Sequence, residues 1–371
     1  MNQDAKIYVA GHQGLVGSAI IRKLTASGYT NIIIRTFADL DLRRQVDVER
    51  FFEIERPEYV VLAAAKVGGI LANSTYKAEF IYDNLIIATN VIHAAYKYGV
   101  KQLINLGSSC IYPKDAPQPL REEYLLTGSL EETNEPYAIA KIAAIKLCRY
   151  YNEQYGTQFI SLMPTNLYGP NDNFNLETSH VLPALLRKLY LAKLLMENNL
   201  SAIFEDIKKT PLGFGLVEIT VDGLENILKK IGVFADRVEL WGSGNVYREF
   251  MHVDDLGAAI IFLMEHPDLQ GIDELINIGT GQDIRISELA YLIASIVQYE
   301  GKIVFNKNNL DGTQRKLLDV TKLAHLKWQA VVGLRAGIIK VYQTYCSQHK
   351  TLDNQIIKEA QLGNIFNDKT F

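Results

Sequence analysis

Apolar residues fall along this chain in short β-rich runs separated by stretches of helical spacing. Lys6–Ala10 is such a run and ends at Gly11; Ser18–Ser27 then carries a helical pattern closed by Gly28. Asn31–Arg35 follows as a strand, with Ile32, Ile33 and Ile34 unbroken, the signature of a strand covered on both faces. Val46–Glu55 is helical, Tyr59–Ala63 a strand, Phe80–Tyr98 a long helix, Gln102–Leu106 a strand, Tyr137–Tyr155 a second long helix and Phe159–Met163 a fifth strand. Strands alternating with helices in this way predict parallel βαβ units, and so an α/β fold with a doubly wound parallel sheet.

The pattern changes after Tyr168, Gly169 and Pro170, becoming mixed and loop-rich, as suits a second, smaller α/β domain that closes on a ligand. The expected division is residues 1–170, then 171–350 with some segments returning to the first domain, then a polar tail at 351–371 that is either helix or loose chain. Leu194–Asp236 stands out within the second part. It carries two amphipathic helices, Leu200–Lys208 and Leu224–Gly232, separated by Pro211, Gly213 and Gly215. No internal repeat is present.

Composition narrows the function classes. A chain of 371 residues, 48% apolar, suits about two domains with a large core. A net charge of −4 gives no long-range attraction to nucleic acid or an anionic membrane. No apolar run approaches the ~20 residues of a membrane span, and the first residues enter a strand without a signal-like segment. Cys110, Cys148 and Cys346 are too few for a disulfide framework, and no CxxC pair suggests a metal. A cytoplasmic home is expected.

The candidate chemistry begins at residue 11. Strand, then Gly11, Gly14 and Gly17 at GxxGxxG spacing, then helix, is the arrangement of a Rossmann-type dinucleotide turn. Gly11 permits the turn, Gly14 lets backbone approach a pyrophosphate, Gly17 packs helix on strand, and the helix N-terminus offers N–H groups to phosphate. An NAD-selective site places an acid at the end of the second strand. Here Arg35 stands there, which favours the 2′-phosphate of NADP unless it is only a solvated strand end; Asp39 and Asp41 keep NAD open.

Tyr137 and Lys141 share a helix face at i, i+4, and Ser108 and Ser109 follow the fourth strand at its carboxyl end. Ser108, Tyr137 and Lys141 together suit proton transfer at a carbinol while hydride moves to or from a nicotinamide, with Lys141 expected to favour the tyrosinate. Cys110, on the same loop, reads either as a small buried apolar residue or as a base for an acidic proton such as one beside a ketone. His180 reads either as a helix-start residue or as the matching acid.

Several longer motifs accompany these residues: Ala63 to Gly69 (AAAKVGG), Gly107 to Pro113 (GSSCIYP), Asn134 to Lys141 (NEPYAIAK), Met163 to Pro170 (MPTNLYGP), Trp241 to Gly244 with Arg248 to Phe250, and Asp311 to Thr313. Together they resemble the GDP-L-fucose synthases of the extended short-chain dehydrogenase/reductase family, from about residue 5 to residue 345 outside Leu194–Asp236. The resemblance implies a dual 3,5-epimerase and 4-reductase acting on the GDP-linked 4-keto sugar GDP-4-keto-6-deoxy-D-mannose with NADPH. It implies Cys110 as the base at carbons 3 and 5 and His180 as the acid on the other face. Tyr137 protonates the oxygen at carbon 4, Ser108 holds that oxygen, and Lys141 holds the nicotinamide ribose. It places NADPH against Gly11, Gln13, Gly14, Leu15, Val16, Gly17, Arg35, Leu40 and Asp41. Further along, the cofactor meets Ala64, Leu106, Gly107, Lys141, Pro164, Asn166, Leu167 and His180, with Pro164–Leu167 as a lining loop. It gives the substrate Ser109, Asn166, Lys188, Trp241, Arg248 and Asp311, although Trp241 also reads as a core aromatic and Asp311 as a loop cap. A homodimer through the Phe80–Tyr98 and Tyr137–Tyr155 helices is expected.

The chain departs from that family at three points. Gln13 and Phe37 stand where the family often has basic residues, leaving Arg35 as the main candidate for the 2′-phosphate. Leu194–Asp236 adds roughly 40 residues to the short family members, and a family subset with a similar insertion takes GDP-4-keto heptoses. A GDP-mannose 4,6-dehydratase or hexose 4-epimerase is the rival on the same fold, but a dehydratase wants an acid where Ser108, Ser109 and Cys110 stand. A non-catalytic dinucleotide sensor is the rival of another class, disfavoured because Tyr137 and Lys141 are both present.

Overall fold

The computed structural model describes residues 1–216, 223–266, 275–307 and 312–348. In chain order the elements begin β1 (Ile7–Ala10), α1 (Leu15–Ala26), β2 (Ile32–Ile33), α2 (Gln45–Glu55), β3 (Tyr59–Leu62), α3 (Ile70–Thr75), α4 (Lys77–Lys97), β4 (Gln102–Leu106), α5 (Glu135–Tyr155), β5 (Phe159–Pro164) and β6 (Asn166–Tyr168). They continue with α6 (Val181–Met196), α7 (Leu200–Lys209), α8 (Leu224–Lys230), β7 (Arg237–Trp241), β8 (Tyr247–His252), α9 (Val253–Glu265), β9 (Leu275–Ile278) and β10 (Asp283–Arg285). Last come α10 (Ile286–Val297), β11 (Lys302–Asn306), β12 (Arg315–Lys316), α11 (Thr321–His325) and α12 (Leu334–Gln348). The described residues form two compact units, one from Met1–Asp172, Arg248–Asp283 and Arg315–Leu334, the other from Asn173–Tyr247, Ile284–Gln314 and Arg335–Gln348.

The first unit is built on a six-stranded sheet of order β2-β1-β3-β4-β5-β9 with every pair parallel. Alternation along the strands splits the core into two layers. Tyr8, Val60, Leu62, Leu103 and Phe159 point to one face and pack with Val48 and Phe52 of α2, Val91 and Ile92 of α4, and Ala144 of α5. Ile7, Val9, Val61, Ile104 and Leu162 point to the other, against Ile20 and Leu24 of α1 and Leu256, Ile260 and Leu263 of α9. The expected strand Asn31–Arg35 is shorter than its apolar run suggests. Only Ile32–Ile33 pairs, and Ile34 is 41% exposed, because this strand lies at the sheet edge rather than inside it. The two long helices start earlier than their apolar spacing indicated, α4 at Lys77 and α5 at Glu135, the latter with Pro136 in its first turn.

The second unit is organised around α6. Its apolar residues Leu182, Leu185, Leu186, Leu189 and Leu191 are buried, and so is Arg187, with 0% of its side chain exposed. That guanidinium is fully satisfied. It donates to Asp206 Oδ1 of α7 at 2.9 and 2.7 Å, to the carbonyls of Phe174 at 2.8 Å and Pro211 at 3.0 Å, and to that of Thr210. Tyr345 of α12 donates its hydroxyl to Asp206 as well. A buried ion pair persists only when its remaining donors and acceptors are met, and here the same contacts tie α6, α7, α12 and the loop at Thr210–Pro211 together. The two amphipathic helices expected in Leu194–Asp236 are α7 and α8, the second ending at Lys230 rather than Gly232. Residues 217–222 of that segment and the tail 351–371 lie outside the described residues. β7 and β11 pair in parallel, Arg237 opposite Lys302 and Trp241 opposite Asn306.

Candidate active site

The strand order of the first unit's sheet reverses between β1 and β3, the place in such sheets where loops part and ligands bind. Gly11 follows β1 with φ +83°, and a Cβ there would lie 2.7 Å from the amide nitrogen of Ala64 across that gap. A Cβ on Gly17 would stand 2.1 Å from the Gly11 carbonyl oxygen. Both glycines are therefore demanded by the chain's own packing. Gly14 is not: its nearest neighbour would be 3.5 Å away, an ordinary contact, yet it is the exposed residue that caps α1. The chain's own packing does not require it to be bare. No acidic residue stands in the first turn of α1, so the positive helix end is unopposed. The turn thus fits a dinucleotide pyrophosphate. We expect Gly17→Ala to destabilise the fold by about 1–3 kcal/mol, and Gly14→Ala to melt as the wild type while binding NADPH at least about tenfold more weakly. Calorimetry and NADPH titration check this; undiminished affinity in Gly14→Ala would show that the turn does not contact the cofactor.

Arg35, Asp39, Asp41 and Arg43, which follow β2, have partners within the chain. Arg35 donates to Glu55 at 2.5 Å and lies 5.4 Å from the Phe51 ring centroid. Asp39 accepts from the Thr36 hydroxyl at 2.6 Å and its amide at 3.1 Å, which holds its carboxyl below the ordinary range. Asp41 is clasped by Arg43, Nε and Nη2 both at 2.9 Å, and Arg43 also covers the ring of Phe37 at 5.1 Å. Gln13 is exposed, Leu15, Val16 and Ala64 are half-buried, and Leu40 is buried.

The other end of the site grows from β4. Gly107 and Ser108 leave the strand, and Ser109–Ile111 forms one 3-10 turn that buries Ser109 and Cys110. The Ser108 hydroxyl caps this turn, accepting from the Cys110 amide at 3.4 Å. α5 brings Tyr137 and Lys141 alongside. Lys141 donates to the Leu106 carbonyl at 2.7 Å and lies 5.6 Å from the Tyr137 ring centroid, and Phe80 of α4 meets that ring edge-on at 6.4 Å. Ser108, Cys110, Tyr137 and Lys141 are thus one cluster in one unit.

Its electrostatics differ from the expectation in one respect. Lys141 was expected to favour the tyrosinate. Instead burial, followed by the charge of Cys110, raises the Tyr137 pKa, and the ammonium lies over the ring and bonds Leu106 rather than the hydroxyl. Tyr137 is therefore held protonated, the form a proton donor needs. Burial lowers Lys141 to about 8. Burial also pushes the Cys110 thiol up, opposed by Lys316, by the Ser108 hydrogen bond and by Lys141.

Pro164–Leu167 is not a loop. Pro164 ends β5 and Asn166–Tyr168 is β6, paired in parallel with Phe250–His252, because the Asn166 amide donates to the Glu249 carbonyl at 2.8 Å and locks the two strands. Two residues in this region were missed. Glu249 is wholly buried and accepts from the amides of Thr280 at 2.6 Å, Gly281 at 2.8 Å and Leu318 at 2.9 Å. Lys316, on β12, faces Cys110. Glu249 lies inside the Arg248–Phe250 motif and Lys316 three residues past Thr313, but nothing local gives them a role.

The second unit holds His180, Lys188 and Trp241. His180 is the N-cap of α6 and makes no side-chain capping bond. Lys188 donates to the Glu239 carbonyl at 3.3 Å, lies 6.0 Å from the Trp241 ring centroid, and burial lowers its pKa to about 8. Trp241 is 60% exposed, which removes the core-aromatic reading. Arg248 is half-buried in β8 of the first unit, and Asp311 lies outside the described residues. Among the described residues no group of side chains could hold a metal ion, and no helix is long and apolar enough to cross a membrane.

A dinucleotide turn and a Ser/Tyr/Lys cluster on a parallel sheet define a nucleotide-dependent dehydrogenase fold, and the chain belongs to the NAD dependent epimerase/dehydratase family, whose pattern matches residues 7–205 and 222–279. Within it the chain groups with the GDP-L-fucose synthases. It is 52% identical to GDP-L-fucose synthase 1 of Arabidopsis thaliana, over 93% of this chain and 94% of that one. It is 46% identical to the GDP-L-fucose synthase of Escherichia coli K12, over 92% and 96%. Among solved structures, a GDP-mannoheptose C4 reductase from Campylobacter jejuni with NADP bound superposes with a TM-score of 0.83 at 41% identity, over 93% of this chain and 99% of that one.

Proposed function

We propose that the chain is a GDP-L-fucose synthase, converting GDP-4-keto-6-deoxy-D-mannose to GDP-L-fucose by 3,5-epimerisation followed by NADPH-dependent reduction at carbon 4. The observation that carries this reading is the buried thiol of Cys110 beside Tyr137 and Lys141. A simple reductase has no use for a base there. The 4-ketone acidifies the protons at carbons 3 and 5. Cys110 removes each in turn, and each time His180 returns a proton to that carbon from the opposite face. The same ketone is then reduced, with bound NADPH as the group that would supply the hydride at carbon 4; Tyr137, held protonated by burial, gives its proton to the oxygen that Ser108 steadies. Gly11 to Gly17 and Arg35 are the cofactor's phosphate partners in this reading, and Lys141 orients its ribose. Lys188, Trp241 and Arg248 suit the GDP moiety by charge and ring.

A second reading, a GDP-4-keto heptose as substrate, has the likeness to the heptose reductase in its favour. It ranks below the first because that likeness is 41% against 52% for the plant fucose synthase. The reading includes a cytoplasmic setting, suited to three free cysteines and checked by cell fractionation. It also includes a homodimer. α4 and α5 leave Tyr82, Ile139, Tyr150 and Tyr155 exposed, and light scattering at micromolar concentration is expected to give twice the chain mass of 41.7 kDa, a monomer refuting it. Substrate choice is tested by NADPH consumption. GDP-4-keto-6-deoxy-D-mannose is expected to turn over at least about tenfold more efficiently than a GDP-4-keto heptose, and the reverse order promotes the second reading.

A further inference from the structure

Three titratable groups stand around Cys110, and the mechanism above uses only two of them. Tyr137 and Lys141 face the thiol from α5, and Lys316 faces it from β12. Lys141 is committed to the Leu106 carbonyl. Lys316 is half-buried and, among the described residues, has no hydrogen-bond or ion-pair partner. Its other charged neighbours are Arg248 of β8 and Glu131, in the segment before α5.

The backbone around Lys316 is fixed with unusual thoroughness for a two-residue strand. Leu317 donates its amide to the Gln118 side chain at 2.9 Å and accepts from the Leu120 amide at 2.7 Å, and Leu318 donates to buried Glu249 at 2.9 Å. Leu318 and Leu120 share one apolar cluster with Ile111 and Tyr112, the residues that follow Cys110. The strand bearing Lys316 and the turn bearing Cys110 are thus pinned to the same core. An ammonium with no hydrogen-bond or ion-pair partner among the described residues, beside a buried thiol, needs a reason.

We infer that Lys316 is a positioning residue for the epimerisation step, its ammonium supporting Cys110 as the thiolate that takes the substrate protons. The inference rests on the reading of Cys110 as base. It agrees with the local electrostatics: burial works against a thiolate at Cys110, and Lys316 is foremost among the charges working for one. The proton taken from carbon 3 or 5 ends on sulfur, the electron pair passes to the ketone oxygen, and the ammonium keeps its own protons throughout.

The test is a pH titration of the ultraviolet thiolate absorbance of the ligand-free full chain, taken as the difference between each protein and its Cys110→Ser counterpart. Lys316→Met is expected to raise the thiolate midpoint by about one pH unit, and Lys316→Arg to leave it near the wild-type value. With substrate, Lys316→Met should slow solvent exchange at carbons 3 and 5 near neutral pH and regain rate as pH rises, with KM little changed. An unchanged midpoint in Lys316→Met overturns the inference, and an unchanged midpoint with a raised KM would place Lys316 among phosphate-binding groups instead. Because the titration needs no substrate, it stands even if the sugar is a heptose. A wild type inactive on the hexose refutes the fucose reading alone.

Discussion

Cys110→Ser is expected to lower deuterium uptake at carbons 3 and 5 of GDP-4-keto-6-deoxy-D-mannose by about a hundredfold to ten-thousandfold, the usual worth of a positioned general base. The substitution is nearly isosteric in a buried turn, and the capping bond between the Cys110 amide and Ser108 is made by backbone, so the fold should persist. What changes is acidity. A serine hydroxyl ionises far less readily than a thiol, and Lys316 and Lys141 cannot close that gap. The measurement is proton NMR in D2O without NADPH, so hydride transfer does not interfere. Uptake at the wild-type rate would place the base elsewhere.

Tyr137→Phe should do the opposite. Exchange at carbons 3 and 5 is expected to stay within a few-fold of wild type, while NADPH oxidation falls by about a hundredfold or more, since the oxyanion loses its proton donor. The pH profile adds a second constraint. Burial holds the Tyr137 pKa above its ordinary value of about 10, so the acid stays protonated as pH rises through that range. The alkaline limb should instead follow Lys141, held at about 8, which loses its charge there. Single-turnover NADPH oxidation across that range checks both. If Tyr137→Phe reduces at the wild-type rate, another group protonates the oxygen.

The contrast between these variants depends on how clearly the two chemistries are written in the chain. Gly11, Gly14 and Gly17 lie within seven residues, and Tyr137 and Lys141 on one helix turn, so local spacing made them legible, as it did the alternating strands of the sheet. The extent of β2 was not legible, because three consecutive isoleucines look alike whether a strand lies at an edge or inside. Nor was the protonation of Tyr137: an i, i+4 lysine suggests a tyrosinate, but burial of the hydroxyl decides otherwise, and the Lys141 ammonium bonds the Leu106 carbonyl on another element instead. Glu249 and Lys316 escaped for the same reason. Their partners at Thr280, Gly281, Leu318 and Cys110 come from segments of the first unit that are far apart in sequence, and the return of Arg248–Asp283 and Arg315–Leu334 to that unit carries no local signal.

That one ketone serves both an epimerase and a reductase is the central claim, and one reaction tests it most directly. The protein is incubated in D2O with GDP-4-keto-6-deoxy-D-mannose and NADPH, and the product is read by NMR. The account predicts GDP-L-fucose with deuterium at carbons 3 and 5 and protium from NADPH at carbon 4. A reduced sugar that keeps protium at carbons 3 and 5 would contradict it, leaving a reductase in which Cys110 has no part.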